Sequence, residues 1–483
     1  MLCLCIRLHV DNRKRCTDGF LRRISYLRFH SSHPAASLTE GSISHGIIAF
    51  ALPLFLGNLF QQLYNTADSL IVGNFLGSEA LAAVSSSGNL IFLMVGLVNG
   101  ISMGAGVVIA RYYGAKDKER MQKTIHTLLA FGLVAGLLLT VVGMWLSPIM
   151  LRLMGTPETV LPNSISYFRT YFTGSLAFVL YNICMGILQA TGDSKHPLQY
   201  LIISSFINIV LDLLFVGVFH MGVGSAAAAT AISQLVSMLL CMARLIRSER
   251  DYHVDVRKIR FEKRALVEIL QNGLPAGLQN SIISIANVVV QSNINAFGAA
   301  AMAGCGAHSR IEGFGFLPVT CFTMALTTFV SQNLGAKQYD RVKKGIRFGI
   351  GCSAIIAETV ALLIFCFSPT LIGLFTSDAE SIAYGVLHER TTTPFFFLLA
   401  YSHCMAAIFR GAGKSTVPML VMLLCWCIIR VAYVTVAVHF FPVLQTVSWA
   451  YPITWCLSTL VFTIYYFKSD WMHAFEKQDA KHA

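Results

Sequence analysis

Residues 111–126, RYYGAKDKERMQKTIH, and residues 332–347, QNLGAKQYDRVKKGIR, read alike. Gly114-Ala115-Lys116 of the first stretch returns as Gly335-Ala336-Lys337, and Arg120 and Lys123 return as Arg341 and Lys344, at a fixed offset of 221 residues. Further on, Ser147-Pro148 matches Ser368-Pro369, and Gly192, Ser194 and Pro197 match Gly413, Ser415 and Pro418, with no gap. Upstream, Pro53 and Asn58 match Pro275 and Asn280 at an offset one residue longer. The positions that agree are glycines, prolines and loop lysines, which have backbone or topological jobs. The chain is therefore two similar halves in tandem.

Composition decides what each half is made of. Of 483 residues 55% are apolar and 12% charged, and the mean hydropathy is +0.63. A soluble chain carries about 25% charged residues. Apolar stretches of about 20 residues, enough to cross a hydrocarbon core of about 30 Å, recur from end to end. The sequence predicts helices over 46–73, 82–110, 124–147, 166–190, 198–219, 224–246, 267–297, 303–332, 345–367, 388–410, 417–440 and 446–467. That is an all-α polytopic membrane protein with twelve transmembrane helices in two six-helix lobes. The even number per lobe makes the repeat parallel, about an axis along the membrane normal.

The formal charge of +12 sits in short loops between apolar runs, which speaks for membrane orientation and against a nucleic-acid partner. Arg111, Lys116, Lys118, Arg120 and Lys123 share one loop, Lys337, Arg341, Lys343, Lys344 and Arg347 another, and eight basic residues lie from Arg244 to Arg264. Lys195 and Lys414, the latter beside Arg410, mark two tight turns on the same side. Opposite loops hold only Arg152 and Arg390, with Arg169 near a helix end. The basic side is then cytoplasmic, and so are both termini.

The expected organisation is a basic tail over 1–40, a first lobe over 41–246, a basic linker over 247–264, a second lobe over 265–467 and a C-terminal tail over 468–483. The start, MLCLCIRLHV, is too short and interrupted for a signal-peptide core. The tail reads either as an over-extended start, with a natural one near Leu38, or as a cytoplasmic extension. Of 13 cysteines, all but Cys3, Cys5 and Cys16 fall in apolar runs and none forms a Cys-x-x-Cys pair, the pattern of small buried hydrophobes.

Charge inside a membrane is expensive and marks function by default. The first half holds Asp68 in helix 1 and Asp212 in helix 5, with no intramembrane Lys or Arg to neutralise them. Each is expected about 8–10 Å from the outer end of its helix, and Thr230 of helix 6 at the same level. Asn208, four residues before Asp212, faces the same way. Two carboxylates close together in low dielectric cannot both ionise cheaply, so the pair can hold a proton; with Asn208 and Thr230 it could instead ligate Na⁺. The plainer reading of each acid is a structural hydrogen bond to a neighbouring helix. Pro53 removes a backbone hydrogen bond inside helix 1, where a kink is expected.

The second half holds Arg310, Glu312, Glu358 and Arg430. Glu312 is either a cation or substrate contact or the partner of Arg430 in a structural ion pair. Glu358 is expected to be structural. The aromatic stretch around Phe395, Phe396, Phe397 and Tyr401 reads as core or lipid-facing surface. Gly411-Ala412-Gly413-Lys414-Ser415 lacks the spacing of a phosphate loop and matches the turn at 191–194 instead.

These segments together resemble the multidrug and toxic compound extrusion family. The resemblance rests on Ala51-Leu52-Pro53, on the run from Gly57 to Asp68 (GNLFQQLYNTAD), on Gly114-Ala115-Lys116, on Gln189-Ala190-Thr191-Gly192-Asp193 and on Gln332-Asn333-Leu334-Gly335-Ala336. It covers about residues 40–467. It implies a V-shaped pair of six-helix lobes in the cell inner membrane, and secondary-active efflux of organic cations or hydrophobic toxic compounds in exchange for H⁺ or Na⁺ by alternating access. It also implies a first-lobe cation site at Asp68, Asn208, Asp212 and Thr230, with Pro53 in helix 1. Some members rely on an acid in helix 7. Here that helix offers only Gln279, Asn280, Gln291 and Asn293, with Glu312 on helix 8. Gln279, Asn280 and Glu312 are thus candidate second-lobe or substrate contacts.

No cofactor is expected beyond the coupling ion, no metal beyond Na⁺ at the first-lobe site, and a monomer suffices. One rival is a lipid-linked oligosaccharide flippase of the same superfamily, which would line its cavity with several basic residues. Another is a membrane-embedded enzyme. The sequence has no His-x-x-x-His, Glu-x-x-His or Gly-x-Ser-x-Gly within the bilayer to supply its chemistry.

Overall fold

The computed structural model describes residues 37–153, Glu158 and residues 160–477, and among these every regular element is helical. The first half contains α1 (Ile43–Leu76), α2 (Ser78–Gly114), α3 (Lys118–Leu153), α4 (Leu161–Thr173), α5 (Ser175–Ala190), α6 (Lys195–Asp212, continued by a π-helical stretch Leu213–Val218) and α7 (Gly224–Ile246). The second contains α8 (Lys263–Asn295), α9 (Ala299–Gly315), α10 (Leu317–Gly335), α11 (Tyr339–Gly373), α12 (Ala379–Thr392) and α13 (Phe396–Gly411). It ends with α14 (Thr416–Met422), a π-helical stretch Leu423–Ile429, α15 (Arg430–Phe440) and α16 (Leu444–Lys468).

Nine of the described spans are long and apolar enough to cross a membrane, counting α12–α13 and α14–α15 as one each. Two bent pairs bring the number to eleven, and α2, with 37 residues, is the twelfth helix of the expected pattern. The expected helix 4 is α4 and α5, bent by 48° at Gly174. That glycine lets α7 approach: a Cβ there would stand 2.6 Å from Cβ of Ala231. The expected helix 8 is α9 and α10, bent by 41° beside Phe316. Pro318 opens α10 and withholds one backbone donor there. Both fifth helices, α6 and α14–α15, carry a π-helical stretch, a feature that recurs at functional sites.

Two of the segments that flank the lobes are packed where they are described. The tail does not run free to residue 40. Leu38 is buried, its N–H donates to Oε1 of Gln332 at 3.1 Å, and Arg341 donates to the carbonyls of Leu38, Glu40 and Gly41. The rest of the tail, through residue 36, lies outside the described residues. Nor is the 247–264 linker loose. Tyr252 and Val254 are buried, and Gln122 donates to the carbonyls of Asp251 and His253.

The halves meet along α2 and α8. A Cβ on Gly100 would stand 2.2 Å from the Gly277 nitrogen, and one on Gly104 2.3 Å from the Gly273 nitrogen. Backbone thus lies against backbone, which only facing glycines permit.

Candidate functional site

Three helices of the first half build one site. Asp68 stands on α1, Asn208 and Asp212 on α6 with Asp212 at the onset of the π-helical stretch, and Thr230 on α7. Asn208 and Asp212 are buried. The carboxyls of Asp68 and Asp212 are neighbours. Nδ2 of Asn208 points at Oγ1 of Thr230 at 3.5 Å. All four expected residues are therefore together. Pro53 is not with them. It sits fifteen residues before Asp68 in a helix that stays unbroken through it, about 22 Å away along the axis.

The chemistry of this cluster lies in its missing donors. Oδ1 of Asp68, Oδ1 of Asn208, both carboxylate oxygens of Asp212 and Oε1 of Gln234 are buried without a hydrogen-bond partner. Native structures leave few such atoms, and each costs about 1–3 kcal/mol. Unpaired acceptors of this kind are what a shared proton or a hard cation satisfies. Tyr64 and Tyr167 stand beside the two acids. Tyr64 precedes Asp68 by four residues and Gln234 follows Thr230 by four, so helical spacing could have found both. Tyr167 comes from α4 with no local signal.

A second feature is a cavity of about 760 Å³ between the halves. Helices α2 and α5 line it from one side, and α8, α9, α10, α13, the second π-helical stretch, α15 and α16 from the other. Gln279, Asn280 and Glu312 all face it, so the structure brings the candidate second-lobe contacts together. Glu312 makes no ion pair with Arg430. Nε2 of His308 lies 3.7 Å from it, while Arg430 donates to Oγ1 of Thr454. Glu358 accepts from the Phe397 amide at the break between α12 and α13, a structural task. Behind the cavity wall lies a group absent from the sequence expectations: Glu389, fully buried, 3.5 Å from Nδ1 of His308, with His388 edge-on to that ring at 4.5 Å.

Two repeated helical halves, a cavity between them and a cluster of unpaired acceptors inside the first define a membrane-embedded, multi-pass transporter of small molecules. The MatE family model matches residues 53–214 and again 275–436, once in each half, and the chain belongs to this family. The chain is 31% identical to the probable multidrug resistance protein YoeA of Bacillus subtilis, over 89% of this chain and 94% of that one. It is 26% identical to the probable multidrug resistance protein NorM of Thermotoga maritima, over 88% and 91%. A solved structure described as the outward-facing conformation of a multidrug resistance MATE family transporter of the MOP superfamily superposes with a TM-score of 0.85 at 25% identity, over 93% of this chain and all of that one.

Proposed function

We propose that this transporter expels organic cations and hydrophobic toxic compounds in exchange for inward-moving H⁺ or Na⁺. It works by alternating access across the cell inner membrane, with both termini cytoplasmic and a single chain sufficient. The observation that carries the exchange step is the set of unpaired oxygens at Asp68, Asn208, Asp212 and Gln234. A proton between the two aspartates, or Na⁺ held by these oxygens, supplies the missing donor or charge. Occupancy by the ion removes the repulsion between the carboxylates and so favours one packing of α1 against α6 and α7. The multidrug names of relatives support the cargo, and the basic loops support the orientation. Nothing in this reading needs bond-making chemistry, so the chain is a carrier and not an enzyme.

The test is transport by the purified protein in liposomes, followed with a fluorescent organic cation, with a pH gradient and a Na⁺ gradient imposed separately. Movement driven by one gradient and lost in Asp68→Asn supports the exchange and names the ion. Wild-type transport by Asp68→Asn removes the site.

A further inference from the structure

The segment after α16 folds back onto the basic face of the molecule. Over residues 469–477, Trp471, Ala474 and Phe475 are buried. Trp471 packs on Phe409 and Tyr466, with ring centres 5.9 and 5.3 Å apart. Phe475 covers the turn at Gly413, where a Cβ would stand 2.5 Å from its ring and φ is 73°. That turn takes glycine for both reasons. Tyr339 donates to Oε1 of Glu476 at 2.6 Å, and Nζ of Lys337 stands 3.9 Å from the same oxygen. All of these partners belong to the second half.

Phe475 also reaches the first half. Arg111, in the last turn of α2, sets its guanidinium 4.4 Å from the centre of the Phe475 ring, and its Nη2 donates to the Phe475 carbonyl at 3.4 Å. Arg111 is buried. A cation on an aromatic face and a charge-assisted hydrogen bond are strongest where water is excluded. Gln332, the repeat equivalent of Arg111, is engaged by the segment just ahead of α1. The Leu38 N–H donates to its Oε1 at 3.1 Å, and Asn333 donates to the Leu38 carbonyl at 3.2 Å. Leu38, Val107, Leu334, Trp471 and Phe475 join one apolar cluster. The two flanking segments therefore cross the seam between the halves in opposite directions, at repeat-equivalent positions.

We propose that residues 469–477 form a clasp that holds the two halves together on the basic face, with Phe475 gripping Arg111. The inference rests on the alternating-access reading and goes beyond it. Opening this face draws α2 away from α10, so Arg111 must leave Phe475. The segment is tied to the second half through Trp471, the Gly413 turn and Glu476, and to the first through Arg111. It therefore lets go at Arg111 and stays docked on the second half, ready to close again.

Hydrogen exchange of the purified full chain in detergent tests the clasp. The reporter is the stretch 37–41, whose Leu38 amide is bonded across the seam to Gln332 and which makes no hydrogen bond to 469–477 among the described residues. Its exchange should accelerate about tenfold in Phe475→Ala. Arg111→Gln should do the same, and the double variant should add nothing further, because both remove one grip. Phe475→Tyr, which keeps the aromatic face, should stay close to wild type. Where Phe475→Ala fails to fold, Tyr339→Phe takes its place: it loosens the hold on Glu476 and should accelerate 37–41 and 469–477 together. Acceleration confined to 469–477, or additive effects of Phe475→Ala and Arg111→Gln on 37–41, overturns the proposal. Exchange needs neither gradient nor cargo, so its failure leaves the efflux reading standing, and failure of efflux in liposomes leaves the exchange result readable.

Discussion

Gly114 rests on Gln332 and Gly335 rests on Arg111. A Cβ on Gly114 would stand 1.9 Å from the carbonyl oxygen of Gln332, and one on Gly335 2.1 Å from that of Arg111. Gln332 is the repeat equivalent of Arg111, so the contact is reciprocal, as in an interface between two copies related by a two-fold axis. The backbone repeats too: Lys116 and Lys337 each adopt φ 57°, a left-handed conformation uncommon for lysine. Around this contact Ser331 donates to the carbonyl of Val107 and Gln332 to that of Ala190, and the basic face of the molecule is closed.

The closure can be opened by one methyl group. Gly114→Ala and Gly335→Ala each force backbone away from backbone, which costs about 1–3 kcal/mol in a packed interface. Hydrogen exchange of the amides at 111–116 and 332–338 should accelerate in either variant, while that of α4 should not. Unchanged protection in both variants would mean the contact does not hold the face shut.

The acid pair should show itself in stability as well as in transport. Carboxylate oxygens buried without donors oppose folding, whereas an amide in place of one acid can donate to the other. Asp212→Asn should therefore raise the unfolding temperature at pH 8 by an amount equivalent to about 1–3 kcal/mol and still abolish gradient-driven efflux. A destabilised Asp212→Asn would indicate that Asp212 serves a structural hydrogen bond.

The repeat, the helix count and the acid cluster were legible because each leaves a mark on one strand of text: a fixed offset, an apolar run, a four-residue spacing. Direction leaves none. Arg410 sits in the last turn of α13 and reads as a loop cation, but helical side chains lean towards the N-terminus, and this one leans back into the cavity wall. Glu389 was missed because the polar stretch TSDAESIAYG hides the start of its helix. The structure begins α12 at Ala379, capped by Asp378, whose carboxylate accepts from the Ser381 amide at 2.9 Å. That sets Glu389 almost three turns inside rather than at a helix entrance. The cap itself was a readable signal. The bend at Gly174 was not, since a glycine within an apolar run looks the same whether it bends the helix or only lets a neighbour in.

Asp193 tests the turn that the two repeats share. It is buried, its Oδ1 accepts from the His196 amide at 3.2 Å, and its Oδ2 lies 2.6 Å from Nδ1 of His196. Burial pushes its carboxyl up, but the hydrogen bonds and charge of His196 outweigh this and hold it below the usual carboxylate range. A carboxyl depressed in the fold contributes stability that is complete above its unfolded value of about 3.9 and is lost as pH falls through the folded value. Asp193→Asn should cost about 1 kcal/mol at neutral pH, and the gap to wild type should close on acidification below about pH 4. A gap that stays constant with pH would show that the charge contributes nothing. The second repeat carries Lys414 at this place, so no equivalent loss is expected there.

His308 and Glu389 should behave as one unit. Glu389 is fully buried with both oxygens lacking hydrogen bonds, and the imidazole of His308 stands between it, at 3.5 Å, and Glu312, at 3.7 Å. On the far side Nδ1 of His388 is bonded to Oγ of Ser448 at 2.7 Å. His308→Ala therefore strands a buried carboxylate and should destabilise the fold by about 3–5 kcal/mol. Glu389→Gln removes the charge that needs a partner, so adding it to His308→Ala should recover part of the loss. Thermal unfolding of the two single variants and the double one closes the cycle. A coupling of at least about 1 kcal/mol identifies a buried ion pair behind the cavity wall, and additive effects would mean that the two side chains are neighbours without being partners.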